Sequence, residues 1–280
     1  MTTPTDNDQS ARWNGASGIA WVEAQDLVTR IMRPFEDILV DTARAAHARR
    51  VLDVGCGTGS TTFAVARALG AQCVGVDISE PMIAAARANA ENDSLPVDFV
   101  RADAQTHPFE PGTFDLVMSR FGVMFFADPV AAFANLRRAT RPGGSLGCIV
   151  WRGTDENPYF TAAERAAAPL LPNLPPRVSG SPGQFALADR EYVTEILTRS
   201  GWVDVDIRPL DVECTMPERD LTPYISRLGP VGLALVEVDD ATRAEVIAAI
   251  RPAFDPYIHG DEVRFTAACW MLTGHAPNPT

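Results

Sequence analysis

Val51-Leu52-Asp53-Val54-Gly55-Cys56-Gly57-Thr58-Gly59-Ser60 decides how the rest of the chain is read. Val51, Leu52 and Val54 predict a short buried strand, and glycines follow at alternate positions, 55, 57 and 59. Ser60 to Leu69 then has the composition of a helix, closed by Gly70. A strand that runs through a glycine loop into a helix brings backbone amides close to a ligand. Asp53 sets a carboxylate at the mouth of that loop, so the expected ligand carries positive charge there.

C-terminal to the loop, strands and helices alternate. Cys73–Val76 predicts a second strand ending in Asp77, and Ser79 caps an alanine-rich helix, Met82 to Ala90. Val97–Arg101 and Phe114–Met118 are the third and fourth strands. Asp128 and Pro129 start a helix to Ala139, and Pro142-Gly143-Gly144 turns into a fifth strand, Ser145–Trp151. Repeated β–α units of this length favour a parallel sheet covered by helices on both faces.

The flanks have a different rhythm. The first dozen residues read as disordered. Ser17 would cap a helix over Gly18 to Met32, and Pro34 would restart the pattern as a second short helix. After Trp151, Thr161 and Glu164 form a capping box, and a Pro/Gly/Ser-rich loop spans Leu171 to Phe185. Asp189 caps a helix closed by Gly201, and Val203 to Val212 predicts a strand. Met216 to Ile258 is helical, broken at Pro223 and Pro230, and Val263 to Thr273 is the last strand.

The chain has 280 residues and a formal net charge of −12, which argues against a phosphate-backbone partner and so against nucleic acid. Its five cysteines lack C-x-x-C spacing, which disfavours a metal cluster or disulfide framework and suits a reducing cytoplasm. The polar segment Met1 to Ser10 does not read as a signal peptide, and no uninterrupted apolar run is long enough for a membrane span.

Two cofactor classes use a glycine loop after the first strand. A dinucleotide fold has G-x-G-x-x-G spacing and holds a pyrophosphate; here the spacing is G-x-G-x-G, and Asp53 would repel that group. Asp77, at the end of the second strand, can accept hydrogen bonds from both ribose hydroxyls. Together, Val51–Ser60, Asp77, Asp103-Ala104 and the Arg141-Pro142-Gly143-Gly144 turn resemble a class I S-adenosylmethionine-dependent methyltransferase of the small-molecule type found in bacteria. The resemblance covers residues 48 to 151 most fully. It implies an α/β fold with a doubly wound seven-stranded sheet, the last strand antiparallel, and helical lid insertions.

The same resemblance implies a site for S-adenosyl-L-methionine. Asp53, Gly55, Cys56 and Gly57 would surround the methionyl part, Asp77 would hold the ribose, and Ile78 and Met82 would flank the adenine. Asp103 would receive the adenine amino group, with the Ala104 amide on a ring nitrogen. Ser119 would offer backbone contacts at the methionine end, and Arg120 would reach the cofactor carboxylate or pair with an acid. The pattern Trp13-Asn14, Gly18, Trp21, Gln25 resembles leading helices that fold over the cofactor, so residues 1–47 would form a helical lid segment with Trp21 on the cofactor, or else pack on the outside with Trp13 and Trp21 as aromatic anchors. Residues 48–280 then form the Rossmann-like domain, with helical insertions at about 152–188 and 214–262.

No magnesium-binding set of acids is evident, since Asp239-Asp240 reads as a helix start, so no metal is expected. Asn157-Pro158-Tyr159-Phe160 reads as a turn. His259, ahead of the last strand, and His107 are the candidates for a general base. The expected reaction is in-line displacement of the sulfonium methyl by a small-molecule acceptor. Alternatives left open are a protein that binds the cofactor without methyl transfer and a nicotinamide oxidoreductase. The acceptor atom and the oligomeric state are not specified by these residues.

Overall fold

The computed structural model describes residues 6–91, 93–174, 177 and 181–278. In chain order the leading helices are α1 (Asp6–Asn14), α2 (Ala16–Glu23) and α3 (Gln25–Ala45). The alternating core follows as β1 (Arg50–Val54), α4 (Ser60–Leu69), β2 (Gln72–Asp77), α5 (Glu80–Glu91), β3 (Val97–Arg101), β4 (Phe114–Arg120), α6 (Pro129–Ala139) and β5 (Thr140–Trp151). Then come α7 (Pro158–Ala167), α8 (Arg190–Arg199), β6 (Val203–Pro217), α9 (Leu221–Arg227), α10 (Gly229–Ala234), α11 (Asp240–Ile250), β7 (Ile258–His259) and β8 (Glu262–His275).

The sheet order is β3-β2-β1-β4-β5-β8-β6, with β7 attached to β8 as a short hairpin. β1 to β5 pair in parallel, and β8 runs antiparallel to both of its neighbours. The order reverses between β1 and β4, so their carboxyl ends open a crevice where ligands of such sheets bind. β5 pairs continuously with β4 from Ser145; the register shifts between the pairs Phe114–Thr140 and Leu116–Ser145, and Arg141–Gly144 bulge out at that shift.

The flanking helices differ from their sequence expectation. Asp6–Asn14 is helical rather than disordered, and residues 1–5 lie outside the described residues. Ser17 sits buried inside α2, which starts after Gly15 without a side-chain cap. Pro34 does not restart a helix; α3 runs through it, because Val28, Ile31, Met32, Phe35, Leu39 and Ala43 continue one buried stripe across it. Burial along that stripe offsets the hydrogen bond that proline removes.

Thr161 is not a cap either. It lies within α7, and its hydroxyl donates to the Pro158 carbonyl, while Asn157 precedes the helix. Asn157 bonds both backbone groups of Ala268, donating at 2.9 Å and accepting at 3.0 Å, and so extends the β5–β8 ladder beyond Trp151. β6 continues to Pro217, past the expected helical start at Met216, because its end pairs with β8 through Met216–Val263 and Pro217–Glu262.

Candidate active site

The glycine loop is locked from below. The Gly55 and Cys56 amides donate to the Val76 carbonyl at 2.8 and 3.1 Å, and the Gly59 amide donates to Cys56 at 3.0 Å. The Gly57 amide donates to Asp77 Oδ2 at 2.9 Å. These amides therefore have protein acceptors and do not form a bare cradle, as the sequence had suggested. A pyrophosphate would need them free.

Gly55 has φ +66°, and a Cβ there would lie 2.6 Å from Gly122 Cα. The ends of β1 and β4 meet at this contact. Ser119 reinforces it: its buried hydroxyl donates to the Val54 carbonyl at 2.7 Å and accepts from the Gly122 amide at 3.0 Å. Ser119 is a stitch between strand ends, and its side chain does not line the crevice.

Asp53 also turns inward. It is 1% exposed, and its Oδ2 accepts the Thr62 hydroxyl of α4 at 2.6 Å. Burial pushes its carboxyl up to about 6, reinforced by the charges of Asp77 and Glu36; the Thr62 hydrogen bond and the Arg120 charge oppose the rise. The sequence reading of Asp53 as a cavity contact is thus replaced by a strand-to-helix tie.

The folded Asp53 carboxyl titrates above the unfolded value of 3.8, so the folded state holds the extra proton between those values. Its contribution is most favourable below about pH 4 and is lost as pH rises through about 6. Asp53→Asn keeps the acceptor for Thr62 and removes the charge. Urea unfolding is expected to show the variant equal to wild type near pH 4 and more stable by about 2–3 kcal/mol at pH 7. A difference that does not change with pH would refute this account.

Above the loop lies a cavity of about 1440 Å³. Gly55, Cys56, Gly57, Asp77, Ile78, Met82, Asp103, Ala104, Arg120 and Trp21 all line it. Asp77 uses both oxygens, accepting Gly57 N at 2.9 Å and Ser79 N at 2.9 Å, while its side chain stays at the cavity wall. Burial raises its carboxyl above the usual range, against bonds from the Ser79, Gly57 and Ile78 amides. Asp103 accepts the Gln105 amide at 2.9 Å.

Arg120 neither points freely into the cavity nor meets a surface acid. It bonds the largely buried Glu36 at 3.2 Å and the Ser60 hydroxyl at 2.9 Å. Burial lowers its guanidinium from the ordinary value, opposed by Glu36 and Asp53. Glu36 was missed by the sequence reading; its signal is an acid set among the buried positions of α3.

The leading helices dock on the β2–α5 turn. Asn14 Nδ2 donates to the Ile78 carbonyl at 3.2 Å, and Asn14 Oδ1 accepts the Glu80 amide at 2.8 Å. Ser79 donates to the Trp13 carbonyl at 2.7 Å and receives the Met82 amide at 3.4 Å, so it caps α5 as expected and anchors α1 as well. Gly18 leaves room for this approach, since a Cβ would stand 2.0 Å from the Trp13 carbonyl oxygen.

The candidate bases lie elsewhere. His259 is exposed in the β7–β8 hairpin opposite Glu262, turned by Gly260 at φ +70°. His107 packs edge-on against Phe109, 4.7 Å between centroids. Among the described residues, no histidine lines the cavity. Tyr159 and Tyr224 do line it, but burial raises both phenols, which keeps them protonated at neutral pH. No group of histidine, cysteine and acidic residues among the described residues could hold a metal ion.

Residues 51–144 match the Methyltransferase domain family. An uncharacterized protein of Mycobacterium tuberculosis is 34% identical over 198 residues, 70% of this chain and 69% of its own length. The demethylmenaquinone methyltransferase of Thermus thermophilus is 34% identical over 166 residues, 57% of this chain and 76% of that enzyme. Among solved structures, the YcgJ protein of Bacillus subtilis matches the fold with a TM-score of 0.57 at 16% identity, covering 87% of this chain and 98% of its own. The sheet order, the antiparallel last strand and the glycine-loop crevice define a methyltransferase fold. The chain belongs to the class I S-adenosylmethionine-dependent methyltransferases, with that cofactor as methyl donor.

Proposed function

We propose that the protein transfers the methyl group to a small, largely apolar acceptor held in the same cavity as the cofactor. Asp77 would take the ribose hydroxyls, Ile78 and Met82 the adenine faces, and Asp103 with the Ala104 amide the adenine edge. Gly55, Cys56, Gly57 and Arg120 would border the methionyl end, with Trp21 above. The observation that carries this reading is the loop itself: its amides are bonded within the protein, while Asp77 and Asp103 stand on the cavity at the ends of their strands. That arrangement suits a ribose and an adenine, not a pyrophosphate.

The cavity, at about 1440 Å³, exceeds the usual ~300–1,000 Å³ of a single-ligand site, which leaves room for an acceptor beside the cofactor. The sulfonium methyl is already activated, so alignment is the protein's main task. It is worth ~7–11 kcal/mol, against ~10²–10⁴-fold for a general base. A cavity whose described lining includes tyrosines but no histidine fits that division of labour. Cytoplasmic residence goes with this proposal, supported by the buried, unpaired cysteines 56, 73, 148, 214 and 269. No described helix is long and apolar enough to cross a membrane.

Calorimetry should show S-adenosylhomocysteine binding and no NADH binding, and a panel of phenol, amine and thiol acceptors should yield methylated product. Binding of NADH alone would overturn the cofactor assignment. Tight S-adenosylhomocysteine binding with no turnover across the panel would overturn the transfer to a small acceptor.

A further inference from the structure

Among the described residues, positive φ at a residue other than glycine occurs at His47, Phe121 and Asp204. His47 and Asp204 are exposed, and histidine and aspartate tolerate this backbone region better than most side chains. Phe121 differs. It is a bulky residue at φ +64°, placed directly after Arg120 where β4 ends at the cavity. Its amide is fixed by the Ile149 carbonyl at 3.0 Å. Glycine would satisfy that backbone without strain, yet the glycine stands one residue later, at 122, with φ −81°. Strain of this kind persists where the surrounding structure over-determines it, and it concentrates at functional sites.

The ring at 121 is held by other rings. It stacks on Trp151 with centroids 4.2 Å apart and planes 5° from parallel, and it meets the buried Phe35 edge-on at 5.0 Å. Trp151 lies 4.4 Å from Phe160. Phe121, Trp151 and Phe160 all line the cavity, and Phe121 is only half-buried although Trp151 covers one of its faces. The wall begins beside the cofactor loop, since Gly122 touches Gly55. Aromatic rings favour other rings through the quadrupole, beyond what buried area supplies.

We propose that Phe121, backed by Trp151 and Phe160, is a stacking wall that selects an acceptor with a planar aromatic ring. The strained backbone at 121 aims that wall beside the methyl donor. The proposal rests on the methyltransferase reading above and deepens it by naming the substrate class.

Two probes separate ring stacking from apolar burial: 1-naphthol and its saturated counterpart decahydro-1-naphthol, titrated calorimetrically into the protein with and without S-adenosylhomocysteine. Apolar burial alone makes the saturated probe bind at least as tightly. Stacking makes 1-naphthol bind about fivefold or more tighter. That preference is expected to collapse towards unity in both Phe121→Gly and Phe121→Ala, with S-adenosylhomocysteine affinity held within about twofold. Phe121→Gly should also melt at a higher temperature than Phe121→Ala, the reverse of the usual order within a strand, because only glycine relieves the positive φ. Equal binding of the two probes to wild type, or a preference that survives in both variants, would overturn the proposal. Failure to bind S-adenosylhomocysteine would instead refute the cofactor reading, since the probe ratio is read with or without it.

Discussion

Gly55→Ala is expected to destabilise the protein by about 2–5 kcal/mol and to abolish measurable S-adenosylhomocysteine binding. Two costs add. The residue has φ +66°, where an added Cβ costs about 1–2 kcal/mol. That Cβ would also stand 2.6 Å from Gly122 Cα, a backbone atom that cannot rotate away. Relief requires the ends of β1 and β4 to part, and the glycine loop at that end lines the cavity proposed to hold the cofactor. Gly112→Ala isolates the first cost, because Gly112 shares the φ of +66° with nothing within 4 Å of the added atom. Urea unfolding of both variants should place Gly112→Ala about 1–2 kcal/mol below wild type and Gly55→Ala well below that. Equal losses would show that the Gly122 contact carries no weight.

Asp77→Ala is expected to weaken S-adenosylhomocysteine binding by about 1–3 kcal/mol through the ribose bonds alone, and by more if the loop loosens. The same carboxylate holds Gly57 N and Ser79 N, so its removal frees the loop from the start of α5. Asp77→Asn separates the parts poorly by design: both oxygens accept N–H groups, and an amide would turn its own NH2 against one of them. The asparagine variant should therefore also bind weakly, despite its matching shape. Calorimetry reads both, and unchanged affinity in Asp77→Ala would sink the ribose assignment.

Much of the fold was legible locally. Buried strands, the glycines that close α4 and α8, and caps at Ser79, Asp128, Asp189 and Asp239 act within a few residues, and each of these caps holds in the structure. The glycine loop and the acids at 77 and 103 were legible for the same reason, since strand ends fix where those side chains emerge. The reading failed where packing decides which way a side chain turns. β1 is covered on both faces, so its sequence gave no sign that Asp53 faces Thr62 rather than the crevice. Arg120 finds Glu36 across 84 positions, and only the docking of α3 makes that pair. His259 lay near the last strand in sequence, but a tight hairpin points it to solvent.

The amino-acid sequence by itself determined the sheet, the position of the glycine loop and the acids 77 and 103 on the cavity beside it, because strand periodicity, glycine freedom and capping are short-range. Tertiary structure decided what those groups do. Packing of β2 against the loop occupied its amides, and burial turned Asp53 and Ser119 into ties. The meeting of Gly55 with Gly122 holds the ends of β1 and β4 together beside the cavity. The aromatic wall at Phe121 is likewise tertiary, since rings from positions 35, 121, 151 and 160 meet only when α3, β4, β5 and α7 have packed.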